Sequence, residues 1–71
     1  MKLKFEKFEW LLFLENCDFT EDELEIIEGI RKGFTDVYMS QKLSMSTASI
    51  SRRKEKIYNK IIRFVSRYNL W

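Results

Sequence analysis

The sequence contains no histidine and no proline, and only one cysteine and two glycines in 71 residues. Because there is no histidine, Cys17 has no imidazole to activate it as a nucleophile. No cluster of metal ligands and no phosphate-binding glycine loop is visible either. These absences predict a protein that is not an enzyme and that uses no metal, no cofactor and no evident small-molecule ligand. A lone cysteine cannot form an internal disulfide, which is typical of a reducing compartment.

Long hydrophobic runs are also missing. The longest one extends only from Trp10 to Leu14, whereas a membrane-spanning helix needs about 20 apolar residues. Glu6 and Glu9 precede it, where a signal peptide carries basic residues. We therefore expect no membrane segment, no export and a cytoplasmic location.

Apolar residues are nevertheless plentiful. They make up 45% of the chain and include six Phe, three Tyr and two Trp, which is well above the level at which chains stay disordered. The chain is long enough for one domain, residues 1 to 71, and too short for a large catalytic cleft.

Charge is divided unevenly along the chain. Residues 1 to 34 carry five basic and nine acidic side chains, whereas residues 35 to 71 carry eight basic and two acidic ones. Clustered Lys and Arg are typical of proteins that bind a polyanion, because they displace the counterions around phosphates. The alternative is an ordinary solvated helix surface.

The scarcity of helix breakers predicts an all-α fold of about four helices. The first is expected from about Lys4 to Glu15, and a short strand from Lys2 to Phe8 is the alternative. The residues at helical spacing on its expected inward face are Phe5, Phe8, Leu11, Leu12 and Glu15.

Capping signals delimit the next two helices. Thr20 and Glu23 form a capping box and Gly33 supplies a left-handed stop, so a helix is predicted from Glu21 to Lys32. Thr35 is expected to cap a short helix from Asp36 to about Leu43. The predicted inward residues of the two helices are Leu24, Ile26, Ile27, Ile30, Val37, Met39 and Leu43.

A long helix is expected to follow, capped by Ser46 and running toward Arg67. Its apolar stripe is Ile50, Ile57, Ile61, Phe64 and Tyr68. At about 100° per residue, Ala48 and Arg52 lie roughly 160° and 200° from Ile50, so both point away from the core.

The last two predicted helices have the layout of a helix-turn-helix: a short helix, a tight turn and a second helix that begins with small residues. Small side chains let the helix start approach DNA closely. Arg52, one turn further on, is long enough to bind a guanine edge. The residues expected to contact DNA phosphates are Lys42, Ser46, Ser49, Arg53, Lys54, Lys56 and Lys60.

The segment from Phe19 to Ser46 resembles the DNA-binding domain of LuxR-type (GerE-like) transcriptional regulators, and it is similar to the related region four of sigma factors. The matching positions are Phe19, Thr20, Glu23, Leu24, Glu25, Gly33, Thr35, Met39, Ser40, Leu43 and Ser46, followed by Ile50, Ile57 and Ile61. The resemblance covers residues 19 to 61 and implies base contacts from Thr47, Ala48, Ser51 and Arg52. Since Ala48 and Ser51 replace positions that are often lysine in the family, its operator preference does not transfer.

Two segments depart from the family pattern, the N-terminal helical extension (residues 1 to 18) and a C-terminal tail (residues 62 to 71) that lacks the usual glycine break. Their aromatic residues form either a dimer surface or part of one monomeric core. The residues concerned are Phe8, Trp10, Phe13, Phe64, Tyr68 and Trp71. The sequence thus predicts a homodimeric transcriptional regulator that binds double-stranded DNA. The alternative is a small adaptor or sigma-like module that binds the transcription machinery.

Overall fold

The structure is a computed structural model and describes residues 3 to 70. Four helices follow one another in this range and no strand occurs in it: α1 (Lys7–Asn16), α2 (Glu21–Arg31), α3 (Asp36–Lys42) and α4 (Thr47–Tyr68). The all-α fold with an N-terminal helix and a long C-terminal helix is therefore confirmed, and the alternative strand at Lys2 to Phe8 does not form over its described part. None of the four helices combines the length and apolar composition that crossing a bilayer requires.

The helix boundaries follow the predicted caps closely. The Thr20 hydroxyl accepts a hydrogen bond from the Glu23 backbone N–H, and the Glu23 carboxylate accepts one from the N–H of Thr20. Gly33 adopts a φ of +81°, the left-handed conformation expected after α2. α4 ends because Asn69 adopts the same conformation, with a φ of +55°.

The first helix differs most from the prediction. α1 begins at Lys7, where Glu6 and Glu9 form a capping box that we had not predicted. Its buried residues are Trp10 and Phe13, whereas Phe8 is 70% exposed. Leu11, Leu12 and Glu15 are exposed as well, so four of the five predicted inward residues were wrong. The fifth, Phe5, precedes the helix and packs against the core. Apolar residues surround so much of this helix that spacing alone did not identify the packed side.

Three further predicted inward residues are exposed, namely Leu24 on α2, Val37 on α3 and Tyr68 at the end of α4. Glu23 is buried on α2, and Val65 is buried on α4 in place of Tyr68. The core contains one residue from the N-terminal segment and nine from the four helices: Leu3, Trp10, Phe13, Ile26, Ile27, Met39, Ile50, Ile57, Ile61 and Val65.

α4 is the element against which the others pack, since it contacts α1, α2 and α3. α2 and α3 also approach closely at Gly29, where a Cβ atom would lie 2.5 Å from the Met39 sulfur. Glycine at this position lets Met39 fill the core beside α2. The common packing onto one face of α4 leaves its opposite face in solvent.

Candidate nucleic-acid interface

The corner between α3 and α4 consists of the four residues from Leu43 to Ser46. The N–H of Met45 donates to the carbonyl of Ser40 at 2.9 Å, and Ser44 adopts a φ of +55°, so the chain reverses sharply. The Ser46 hydroxyl then accepts the backbone N–H of Ser49 at 3.1 Å and caps α4, as predicted. This corner fixes where α4 starts.

The first turns of α4 are open to solvent on one side. Thr47, Ala48, Ser51 and Arg52 are all exposed, while Ile50 between them is fully buried. These four are the predicted base-contacting residues, and the structure brings them together on one surface that nothing in residues 3 to 70 covers. Arg52 contacts Ser49 at 3.5 Å between Nη2 and Oγ, which is a weak contact.

The electrostatics of this helix start differ from those of α2. The first turn of α2 contains Glu21, Asp22 and Glu23, whereas the first turn of α4 contains no acidic residue. Acidic side chains normally compensate the positive end of the helix dipole. Because none is present at the start of α4, its N-terminal end is suited to an external anion such as a phosphate.

Three of the predicted phosphate contacts are engaged within the chain. Arg53 pairs with Asp22 at 3.3 Å, Lys54 with Asp36 at 2.5 Å and Lys60 with Glu23 at 2.5 Å. We call Arg53, Lys54 and Lys60 the paired cations. The other predicted phosphate contacts are Lys42, Lys56, Ser46 and Ser49. The two lysines make no ion pair among residues 3 to 70, and the two serines are uncharged.

The pair between Lys60 and Glu23 is the most buried of the three. The Glu23 side chain is 2% exposed, and the Lys60 ammonium also donates to the backbone carbonyl of Asp18 at 2.8 Å. Burial alone would raise the pKa of Glu23, but the hydrogen bonds from Lys60 and Thr20 and the charge of Lys60 outweigh it and lower that pKa. Lys60 therefore holds α2 and the preceding loop against α4, and we remove it from the set of phosphate contacts.

The carboxylate partners of these cations, Asp22, Glu23 and Asp36, were not predicted from the sequence. Glu23 carried a signal only as part of the capping box, a local role that does not indicate burial. The pairs join residues 18 to 37 positions apart, so helical periodicity gives no information about them.

The aromatic residues predicted at a dimer surface differ in burial. Trp10 and Phe13 belong to the core, so they are not available to a second copy, and Phe64 is partly buried against that core. Phe8 and Tyr68 are exposed, and Trp71 lies outside the described residues.

The region around Cys17 shows no sign of nucleophilic activation. Burial raises the pKa of the Cys17 thiol, opposed in part by the charge of Lys60. The thiol therefore stays protonated near neutral pH. No group of three or more Cys, Asp or Glu side chains in the described part of the chain is arranged to hold a metal ion.

Comparison with known proteins gives no match. No protein-family model, curated protein or solved structure is significantly similar to the chain.

Proposed function

We propose that this protein is a sequence-specific DNA-binding transcriptional regulator in which α3, the turn from Leu43 to Ser46 and α4 act as a helix-turn-helix. The start of α4 would enter the major groove. The observation that carries the proposal is the exposed surface of Thr47, Ala48, Ser51 and Arg52 at a helix start without acidic residues. The resemblance of residues 19 to 61 to LuxR-type domains supports it.

The proposed roles follow from side-chain chemistry. Arg52 would donate two parallel hydrogen bonds to a guanine, the most common specific base contact. Ala48 would contact a thymine methyl group, and Thr47 and Ser51 would contact bases or nearby backbone. Lys42, Ser46, Ser49 and Lys56 would contact phosphates and position the helix.

The test is selection of bound duplexes from a random pool by the full chain, followed by sequencing and titration across salt concentrations. We expect Arg52→Ala to weaken binding by about 1–3 kcal/mol, with the loss confined to one base position. Lys56→Ala should instead weaken binding to all sequences alike and reduce the salt dependence. Lys7→Ala, which removes an exposed charge from α1, is the matched control. It should change neither the binding strength nor its salt dependence.

If wild-type protein retains no duplex even at low salt, the proposal fails. A second candidate, an adaptor that binds a protein of the transcription machinery, would then take its place. The exposed apolar residues Phe8, Leu11 and Leu12 on α1 favour that candidate, since adjacent apolar side chains are suited to a protein contact.

A homodimer bound to a short palindromic site is part of the proposal. Two copies would place two α4 helices in successive major grooves, about 34–36 Å apart. Phe8 and Tyr68 are the predicted dimer contacts that remain exposed in the described chain. Molecular mass in solution, measured with and without a palindromic duplex, tests this part.

A further inference from the structure

The exposed basic residues of α4 continue well beyond the segment that resembles a helix-turn-helix. Arg63 and Arg67 are exposed, as are Arg52 and Lys56. At about 100° per residue, Lys56, Arg63 and Arg67 lie roughly 40°, 20° and 60° around the helix from Arg52. These four residues, which we call the outer row, therefore occupy one narrow strip about 22 Å long.

Within residues 3 to 70, no carboxylate forms an ion pair with a residue of the outer row. Among residues 3 to 70, the acidic partners on α2 and α3 engage the paired cations, and none pairs with Arg52, Lys56, Arg63 or Arg67. The one acidic residue of α4, Glu55, lies about 60° to the side of Arg52. Asp18 lines the same cleft as Arg63 and Arg67 without forming an ion pair with either.

The outer row contains two pairs of like charges at a spacing that is unfavourable within a helix. Arg52 and Lys56 are four residues apart, as are Arg63 and Arg67, and like charges at this spacing destabilise a helix. The row is best explained by an external polyanion, because a line of fixed negative charges can neutralise all four cations at once.

We propose that Arg63 and Arg67 bind backbone phosphates of the same DNA duplex that the start of α4 reads. This inference rests on the proposed function. DNA is favoured over an acidic protein because the two arginines are collinear with Arg52 and Lys56. The outer row thus extends the DNA contact past the base-reading segment, toward phosphates that flank the recognised site.

The inference predicts a specific change in salt dependence. Each phosphate contact contributes about 0.9 to the slope of log affinity against log salt, so Arg63→Ala with Arg67→Ala should reduce the slope by about 1.8. The advantage of wild-type protein over this double variant should therefore shrink about 12-fold between 50 and 200 mM salt. The base preference should not change, and replacing both arginines by lysine should restore most of the slope.

The control is the double variant Lys4→Ala with Lys7→Ala, which changes the net charge equally. Lys4 and Lys7 are exposed and line a different cleft, beside Ile30 and Arg31, so this variant should keep the wild-type slope. A second readout is duplex length. Adding base pairs beyond the recognised site should strengthen binding of wild-type protein and leave the arginine double variant unaffected.

The outcomes separate the two proposals. If wild-type protein binds its site specifically but the arginine double variant keeps the same slope and the same response to duplex length, this inference is wrong and the proposed function stands. An acidic protein partner would then be the better explanation of Arg63 and Arg67. If wild-type protein binds no duplex, both proposals fail. Helical circular dichroism of each variant verifies folding, and alanine on an exposed helix face should preserve it.

Discussion

α4 carries two sets of basic residues, the paired cations and the outer row, and they differ in whether a carboxylate of the described chain pairs with them. The paired cations, Arg53, Lys54 and Lys60, each contact a carboxylate on α2 or at the start of α3. The outer row makes no such contact in the described chain. The net charge of the C-terminal half therefore overstates how much positive charge is available to a partner, because part of it holds the helices together.

Among the substitutions that compare the two sets, one at Lys60 should have the largest effect on the free energy of unfolding. Lys60→Met keeps most of the unbranched side chain but leaves the Glu23 carboxylate buried without its ammonium partner. We expect a loss of about 2–3 kcal/mol in the free energy of unfolding, below the ~3–5 kcal/mol of a fully buried pair because the Lys60 side chain is 30% exposed. Chemical denaturation at pH 7 measures this loss. Lys56→Met, in the outer row, is the matched control, and an equal loss for both variants would remove the distinction between the sets.

Lowering the pH should have a smaller effect on stability, through protonation of Glu23. The pKa of Glu23 is lowered in the folded chain, so its contribution to stability is complete above the unfolded pKa of about 4.3 and is lost as the pH falls through that value toward the folded pKa. Stability measured from pH 6 to pH 3 should therefore fall less steeply in Glu23→Gln than in wild type. Glu25→Gln is the control, since Glu25 is an exposed carboxylate on the same helix that forms no ion pair within residues 3 to 70. If Glu23→Gln followed the wild-type curve, Glu23 would not be the group that Lys60 stabilises.

The smallest effect is expected at Arg53. Its pair with Asp22 is exposed, with 34% and 54% of the two side chains in solvent, and such pairs contribute little. Arg53→Ala should change the free energy of unfolding by less than about 0.5 kcal/mol. A loss as large as that of Lys60→Met would contradict the view that burial, and not pairing alone, determines the contribution of these cations.

The starts of α2, α3 and α4 were predictable because they depend on local interactions. Thr20, Thr35 and Ser46 each bond to a backbone N–H three residues ahead, a contact visible in the sequence itself. The packed face of α1 was not predictable in this way. Apolar residues surround this helix, and only its packing in the tertiary structure selects Trp10 and Phe13 over Phe8 and Leu11.

The candidate site also has features that local sequence predicts and features that depend on tertiary packing. The small residues at the start of α4 and the opposition of Arg52 to Ile50 followed from helical periodicity, which involves residues a few positions apart. Lys60 could not be assigned correctly, because its role depends on Glu23, 37 positions away.

The sequence by itself determined four helices, the starts of α2, α3 and α4, and the exposed, acid-free first turns of α4, since capping and periodicity act within one or two helical turns. Only the tertiary structure decided which cations are neutralised and which remain available. That depends on how α2 and α3 pack on α4, because ion pairs form between groups that are close in space, whatever their separation along the chain.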